Sequence, residues 1–186
     1  MRVLGISGSL RRDSHNSKLL RAAGRLFDEP DVEFVEFDGL KALPPYDEDD
    51  DGAEAPAAVT RLREALAGAD AILIATPEYN ASIPGQLKNA IDWASRPLAT
   101  NPLRNTPVAV VGASTGMFGA VWAQADLRKA LAATGARVVE GEVAVGHAQD
   151  RFDDDGGLTD ENIEDELREV MRLLTAEVRP AARLAA

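Results

Sequence analysis

The chain has 186 residues, of which 45% are hydrophobic, and a net charge of -11. These values are typical of a single globular domain over residues 1–186 and argue against a nucleic-acid-binding surface, which would need a basic face. The absence of cysteine excludes disulfides, thiolate metal sites and thiol catalysis, and two histidines are too few for a histidine-rich metal site, so we expect no metal.

Strand-like and helix-like segments alternate along the chain. Apolar or alternating runs predict five strands, at residues 3–7, 32–37, 71–75, 107–113 and 136–145. Amphipathic spacing predicts a helix after each strand, at residues 15–27, 54–67, 84–94, 120–133 and a last helix capped by Thr159. No apolar stretch is long enough to span a bilayer and no signal peptide is recognisable, so we expect a cytoplasmic protein without membrane contact.

This alternation predicts an α/β fold with a doubly wound parallel sheet and helices on both faces. Five strands over this length favour the flavodoxin-like order 2-1-3-4-5 over the six-stranded dinucleotide-binding fold. Ligands of such sheets bind outside the carboxyl ends of the strands, where the strand order reverses. The loops at residues 7–16, 76–83 and 113–119 leave those ends, and we expect them to form one site.

The first of these loops has the composition of an anion site. It carries hydroxyl, guanidinium and amide groups at Ser9, Arg11, Ser14 and Asn16, just before a helix whose free N–H groups and dipole favour negative charge. A phosphate fits best, although the loop has neither common glycine-rich phosphate fingerprint. The alternative is a solvated loop in which Ser14 is a plain N-cap. His15 is expected to lie on the helix surface without a role.

The second loop, "TPEYN", suits a planar heterocycle. Tyr79 offers a flat apolar wall, Asn80 offers a donor and an acceptor, and Pro77 and Pro84 stiffen the ends of the loop. The alternative is a tight loop with Tyr79 in the core and Asn80 as a turn residue.

The third loop, "ASTGMFG", offers Ser114 as a further wall of the same pocket. Met117, Phe118 and Trp122 belong either to the core or to an apolar subunit contact, and the sequence does not separate these possibilities. Aspartate-rich runs at 47–51 and 153–155 lack ordered ligand spacing and are expected to be solvated loops.

Two long motifs, "GSLRRDSHN" at 8–16 and "PEYNASIPGQLKNAIDW" at 77–93, resemble those of the NAD(P)H-dependent FMN reductase family, which includes quinone, azo-dye and chromate reductases. The resemblance implies a flavodoxin-like fold, bound FMN and NAD(P)H as co-substrate. It also implies a homodimer or homotetramer with flavins near the interface. Trp122 stands where some relatives carry an arginine of an interface network, so that particular contact is not expected here.

The resemblance also assigns the site residues. It implies that the FMN phosphate is held by Ser9, Arg11, Ser14 and Asn16. It implies that the isoalloxazine and ribityl chain are lined by Pro77, Glu78, Tyr79 and Asn80, with Ser114 as a further flavin contact.

In such an enzyme the flavin carries the chemistry, so no side chain is nominated as a catalytic acid, base or nucleophile. NAD(P)H would reduce FMN and leave, and a small-molecule acceptor such as a quinone, free flavin or azo compound would then be reduced. Two other functions remain open from the sequence, a flavodoxin-type electron carrier and a nucleotide-binding regulator. The sequence does not decide between NADH and NADPH, or name the physiological acceptor.

Overall fold

The computed structural model describes residues 1–27, 31–52 and 54–183. Its strands are β1 (Arg2–Ser7), β2 (Glu33–Phe37), β3 (Ala71–Thr76), β4 (Pro107–Ala113), β5 (Arg137–Val138) and β6 (Ala144–Val145). Its α-helices are α1 (His15–Arg25), α2 (Ala57–Ala67), α3 (Gly85–Ala94), α4 (Val121–Ala133) and α5 (Glu161–Arg183). Among the described residues, no helix is both long and apolar enough to cross a bilayer.

The sheet is parallel, with the order β2-β1-β3-β4-β5, which confirms the predicted flavodoxin-like topology. Strands β3 and β4 are buried along their whole length, as their continuous apolar runs predict. Alternate residues of β3 enter the two cores: Ile72 and Ile74 pack under α2, α3 and α4, whereas Leu73 packs under α1 and α5. The sheet is therefore covered on both faces.

The predicted fifth strand is interrupted, which corrects its continuous assignment. Only β5 and β6 are regular, and both pair with β4. Between them the Arg128 guanidinium of α4 donates hydrogen bonds to the backbone carbonyls of Val110, Val139 and Gly141. In a continuous strand pair, these oxygens would accept hydrogen bonds from the neighbouring strand. Gly141 has φ 146°, a conformation that suits glycine at such a break.

The start of α5 also differs from the prediction. Thr159 does not cap this helix: its N–H donates to the carbonyl of Arg151. Asp160 is the cap, because its carboxylate accepts the N–H of Asn162 at 3.1 Å.

Candidate active site

A cleft of about 250 Å³ lies at the carboxyl ends of β1, β3 and β4. The three loops singled out by sequence meet there. Among the described residues, the cleft is lined by Ser9, Arg11, Ser14, His15, Asn16, Pro77, Glu78, Tyr79, Ala113, Ser114 and Thr115. Every site residue nominated from sequence is in this set except Asn80.

The first loop is held tightly against β3. The N–H of Gly8 donates to the carbonyl of Ala75 at 2.8 Å. A Cβ on Gly8 would lie 2.8 Å from Cδ2 of Leu87 and 3.3 Å from Cδ of Pro77, so a larger residue here would need the Leu87 side chain to shift. Within the same region the Ser17 hydroxyl donates to Ser7 Oγ at 3.0 Å, and the Arg11 N–H donates to Ser9 Oγ at 3.3 Å.

Ser14 is the N-cap of α1, as the alternative interpretation predicts. Its Oγ accepts the N–H groups of Asn16 and Ser17 at 3.2 and 3.4 Å. Because those bonds use only oxygen lone pairs, the Ser14 hydroxyl proton remains available to a ligand in the cleft. Capping α1 and binding an anion are therefore compatible for this residue.

Asn16 ties the first loop to the third. The side chain is 2% exposed. Its amide oxygen accepts the N–H of Ala113 and its amide nitrogen donates to the Ala113 carbonyl, both at 2.9 Å. This two-way bond fixes the separation of α1 and β4, so one effect of Asn16 is to set the width of the cleft.

Arg11 supplies cationic charge at the mouth of the cleft. Its side chain is exposed, and its guanidinium forms no ion pair within residues 1–27, 31–52 and 54–183. It stands beside the N-terminus of α1, where the helix dipole adds positive potential. One end of the cleft is thus built for an anion.

The second loop is a tight hairpin. Tyr79 and Ser82 exchange both backbone hydrogen bonds, at 3.1 and 3.2 Å, and Asn80 and Ala81 between them have φ 53° and 58°. Two consecutive left-handed residues define a type I′ turn, in which asparagine is favoured. The alternative that Asn80 is a turn residue is therefore correct. The alternative that Tyr79 is a core residue is wrong, because its side chain is 54% exposed.

Glu78 anchors this hairpin to α4, a contact that sequence reasoning missed. Its Oε2 accepts the N–H of Ala123 in the first turn of α4, at 3.1 Å. The N-cap position of that helix is Ala120, which has φ 66° and no capping side chain. A second bond, from the Ser82 hydroxyl to Asp126 Oδ2 at 2.7 Å, holds the same hairpin on the same helix. The sequence signal was the lack of a capping residue before Val121.

The third loop and the first turn of α4 carry a group of exposed apolar side chains. Met117, Phe118 and Trp122 are 66%, 54% and 48% exposed. The Phe118 and Trp122 rings meet edge to face, with centroids 5.1 Å apart. These side chains are outside the core, which excludes one of the two possibilities left open by sequence. We call Met117, Phe118 and Trp122 the apolar rim.

His15 lines the cleft, which corrects the expectation that it lies on the outer surface of the helix. Its ring stacks on Phe152, with centroids 6.2 Å apart and planes 16° apart. Its Nδ1 is buried without a hydrogen-bond partner in the described part of the chain. Burial lowers the pKa of His15 below its ordinary value, and the charges of Arg11 and Lys18 lower the pKa further.

Comparison with known proteins identifies the family. The model of the NADPH-dependent FMN reductase family matches residues 1–150. The chain belongs to this family. It is 42% identical over 180 residues to an NAD(P)H-dependent FMN reductase of Pseudomonas aeruginosa, covering 96% of each. It is 36% identical to a 2-hydroxy-1,4-benzoquinone reductase of Burkholderia sp, covering 96% of this chain and 97% of the relative.

Solved structures agree with this membership. The flavoenzyme FerB of Paracoccus denitrificans, an NAD(P)H:(acceptor) oxidoreductase, superposes with a TM-score of 0.84 at 36% identity, covering 96% of this chain and 97% of that one. A flavodoxin of Pseudomonas aeruginosa superposes with a TM-score of 0.59 at 18% identity, which shows the shared fold alone.

As a member of the NADPH-dependent FMN reductase family, the protein is a flavin-dependent oxidoreductase with FMN as cofactor and NAD(P)H as co-substrate. The cleft fits that cofactor. Its lining includes Arg11, the hydroxyls of Ser9 and Ser14 and the first residues of α1, whose positive dipole end favours an anion. Pro77, Tyr79 and Ser114 line the same cleft and add apolar and hydroxyl surface to it.

Proposed function

We propose that the cleft binds FMN with the phosphate at the N-terminus of α1 and the isoalloxazine against the second and third loops. Ser9, Arg11, Ser14 and Asn16 would hold the phosphate, and Pro77, Glu78, Tyr79, Asn80 and Ser114 would line the remainder. The observation that carries this proposal is the convergence of three loops on one cleft whose cation, Arg11, has no ion-pair partner among the described residues.

The geometry favours different roles for the nominated residues. Arg11 and the hydroxyls of Ser9 and Ser14 are placed to donate to a phosphate. Asn16 and Glu78 are already bonded to backbone N–H groups of Ala113 and Ala123, so they act mainly by fixing the walls of the cleft. Asn80 would act through the turn that it allows.

Bound FMN would supply the hydride transfer from NAD(P)H to the acceptor, and the protein would supply binding and orientation. The residues of the three loops would hold the flavin, and the half-exposed ring of Tyr79 would border the flavin face that substrates approach. We infer that both substrates use this face in turn, because the described residues offer one cleft between the three loops and not two.

We propose a quinone as the favoured acceptor, with free flavins and azo compounds as further substrates. Two observations support this class. Relatives are named 2-hydroxy-1,4-benzoquinone reductase and quinone reductase, the latter from Pseudomonas putida at 38% identity. The exposed ring of Tyr79, which lines the cleft, offers a flat apolar contact to a planar acceptor.

We also propose that the protein is one domain that assembles as a homodimer, with a homotetramer as the alternative. Exposed aromatic side chains of this size are typical of interfaces. The apolar rim adjoins α4, and a groove of about 470 Å³ between α3 and α4 includes Ile83, Ala130 and Ala133. A second copy would cover both surfaces. A cytoplasmic location, where NAD(P)H is abundant, is part of the proposal.

Three measurements test the redox function. Purified protein should show the visible absorption of oxidised FMN, anaerobic NADH or NADPH should bleach it, and a quinone should then restore it without further nucleotide. Initial rates should give parallel double-reciprocal lines, the pattern expected of substrates that alternate. Intersecting lines would contradict the shared face, and a flavin that stays oxidised under both nucleotides would instead support an electron carrier.

The oligomer is tested separately. Light scattering after gel filtration should give twice the mass of the 19.8 kDa chain. Trp122→Glu should shift the protein towards monomer because it places a charge in the apolar rim, whereas Glu166→Gln, on an exposed position of α5, should not. A monomeric parent protein would refute the dimer.

A further inference from the structure

His15 is the least explained polar group of the cleft. It is the first residue of α1, between the cap Ser14 and the bridging Asn16. Among the described residues, its Nδ1 is the buried side-chain atom that lacks a hydrogen-bond partner. In the free protein Nδ1 has no acceptor for an N–H, so the neutral ring carries its proton on Nε2; a second proton would occupy Nδ1, and its acceptor would have to come from the ligand.

The surroundings of His15 oppose a positive charge before any anion binds. Arg11 faces it from the first loop and Lys18 from the next turn of α1. The ring also sits on the positive end of the α1 dipole. Phe152, from the segment after β6, contributes an uncharged ring to the stack, and that ring also packs 5.9 Å from Nζ of Lys18.

Across the cleft the charges do not offset this effect. Glu78 is the acidic residue in the cleft lining, and its carboxylate is bonded to the N–H of Ala123 at the start of α4. The third loop contributes only the neutral side chains of Ser114 and Thr115 to that lining. His15 therefore faces two cations and a helix N-terminus on its own side.

We propose that His15 is the proton-linked cation of the phosphate site: it is neutral before FMN binds and takes up one proton when the phosphate dianion enters the cleft. This inference rests on the proposed placement of the FMN phosphate beside Arg11. A dianion near the ring reverses the sign of the local potential, so the same position that disfavours imidazolium in the free protein favours it in the complex.

The direction in which FMN affinity changes with pH follows from thermodynamic linkage. A ligand that raises the pKa of a group binds more tightly as the pH falls towards that group's pKa in the complex. The phosphate of FMN has its own second pKa near about 6, and its protonation weakens binding in acid. That opposing effect is the same in every variant, so the contribution of His15 is the difference between wild type and a His15 variant.

The decisive measurement is a histidine titration by NMR, because the chain has only two histidines. With ¹³C-labelled histidine, the variant His147→Asn assigns the two signals, and asparagine tolerates the φ of 50° at that position. We expect the His15 midpoint to lie below that of a free histidine in flavin-free protein and to rise on binding FMN. Riboflavin, which lacks the phosphate, should leave the midpoint where it is.

A second measurement uses FMN affinity against pH, from about pH 6 to about pH 8, the range in which an imidazole titrates. His15→Phe keeps an aromatic ring on Phe152 and removes the titrating group. We expect the wild type to bind FMN roughly tenfold more tightly than His15→Phe at the acidic end of this range, as for one charge-assisted contact. At the alkaline end the two affinities should be nearly equal. Calorimetry in buffers of different ionisation enthalpy should show proton uptake by the wild type alone.

The outcomes are separable. If FMN fails to bind, or binds no better than riboflavin, the proposed phosphate site is overturned and this inference with it. If FMN binds through its phosphate while the His15 midpoint stays unmoved or falls, the phosphate site stands and the proton linkage is refuted. Because the NMR titration uses the wild-type chain, a folding defect in His15→Phe cannot decide the question.

Discussion

Replacing Glu78 tests whether its main effect is on the hairpin and α4 and not on the cofactor directly. Its carboxylate accepts the Ala123 N–H at 3.1 Å, at a helix end that has no capping side chain of its own. Loss of a capping acceptor is worth about 0.5–2 kcal/mol, and a negative charge at a helix N-terminus about 0.3–1 kcal/mol. We therefore expect Glu78→Ala to lower the free energy of unfolding of flavin-free protein by about 1–2 kcal/mol.

Glu78→Gln separates the acceptor from the charge. Its amide oxygen can still accept the Ala123 N–H, so it should lose only the charge contribution, about 0.3–1 kcal/mol. Urea denaturation followed by circular dichroism measures the free energy of unfolding of both variants. In thermal denaturation, the expected change in Tm is about 2–4 °C per kcal/mol for a chain of this length. Glu166→Gln on α5 is the matched control for removing one acid.

A stabilising role of Glu78 through α4 is refuted if Glu78→Ala unfolds with the same free energy as Glu166→Gln. It is also refuted if Glu78→Ala retains full stability but loses FMN, because Glu78 would then act on the flavin and not through α4. A loss of stability with a modest fall in FMN affinity is the expected combination, since the hairpin forms one wall of the cleft.

Three further predictions concern other parts of the site. Arg11→Ala should weaken FMN binding by roughly ten- to a hundredfold by fluorescence titration and leave riboflavin binding unchanged, since a charge-assisted hydrogen bond is worth about 1.5–3 kcal/mol; equal losses for both flavins would contradict the assignment. Ala81→Gly should raise the free energy of unfolding by up to about 1 kcal/mol, because Ala81 has φ 58°, which disfavours any residue with a Cβ; a loss of stability would exclude strain there. The pKa of His15 is lowered in the folded protein from its ordinary value of 6.5, so protonation favours the unfolded chain. The stability of flavin-free protein should therefore fall as the pH drops below about 6.5, and His15→Phe should reduce this dependence of stability on pH in denaturation experiments. An unchanged dependence in His15→Phe would show that His15 is not responsible.

The predictions from sequence were correct where the local pattern of residues alone decides the outcome. The buried runs of β3 and β4 became the two fully buried strands, since a segment apolar on every side can be placed only in the middle of a sheet. The two long motifs gave the family, which the comparisons confirm. The predictions failed where a distant group intervened, as at the fifth strand, where Arg128 of α4 takes carbonyls from the ladder.

The sequence by itself determined the alternating elements, the strand order, the family and the loops that form the cleft. Only the tertiary structure decided what the polar side chains of those loops do. Asn16 bonds to Ala113, 97 residues away, and Glu78 bonds to Ala123, 45 residues away. His15 acquires its half-buried, cation-facing position from Arg11, Lys18 and Phe152 together. Periodicity and propensity are properties of neighbouring residues, whereas a hydrogen-bond partner and a local potential depend on groups that the fold brings together.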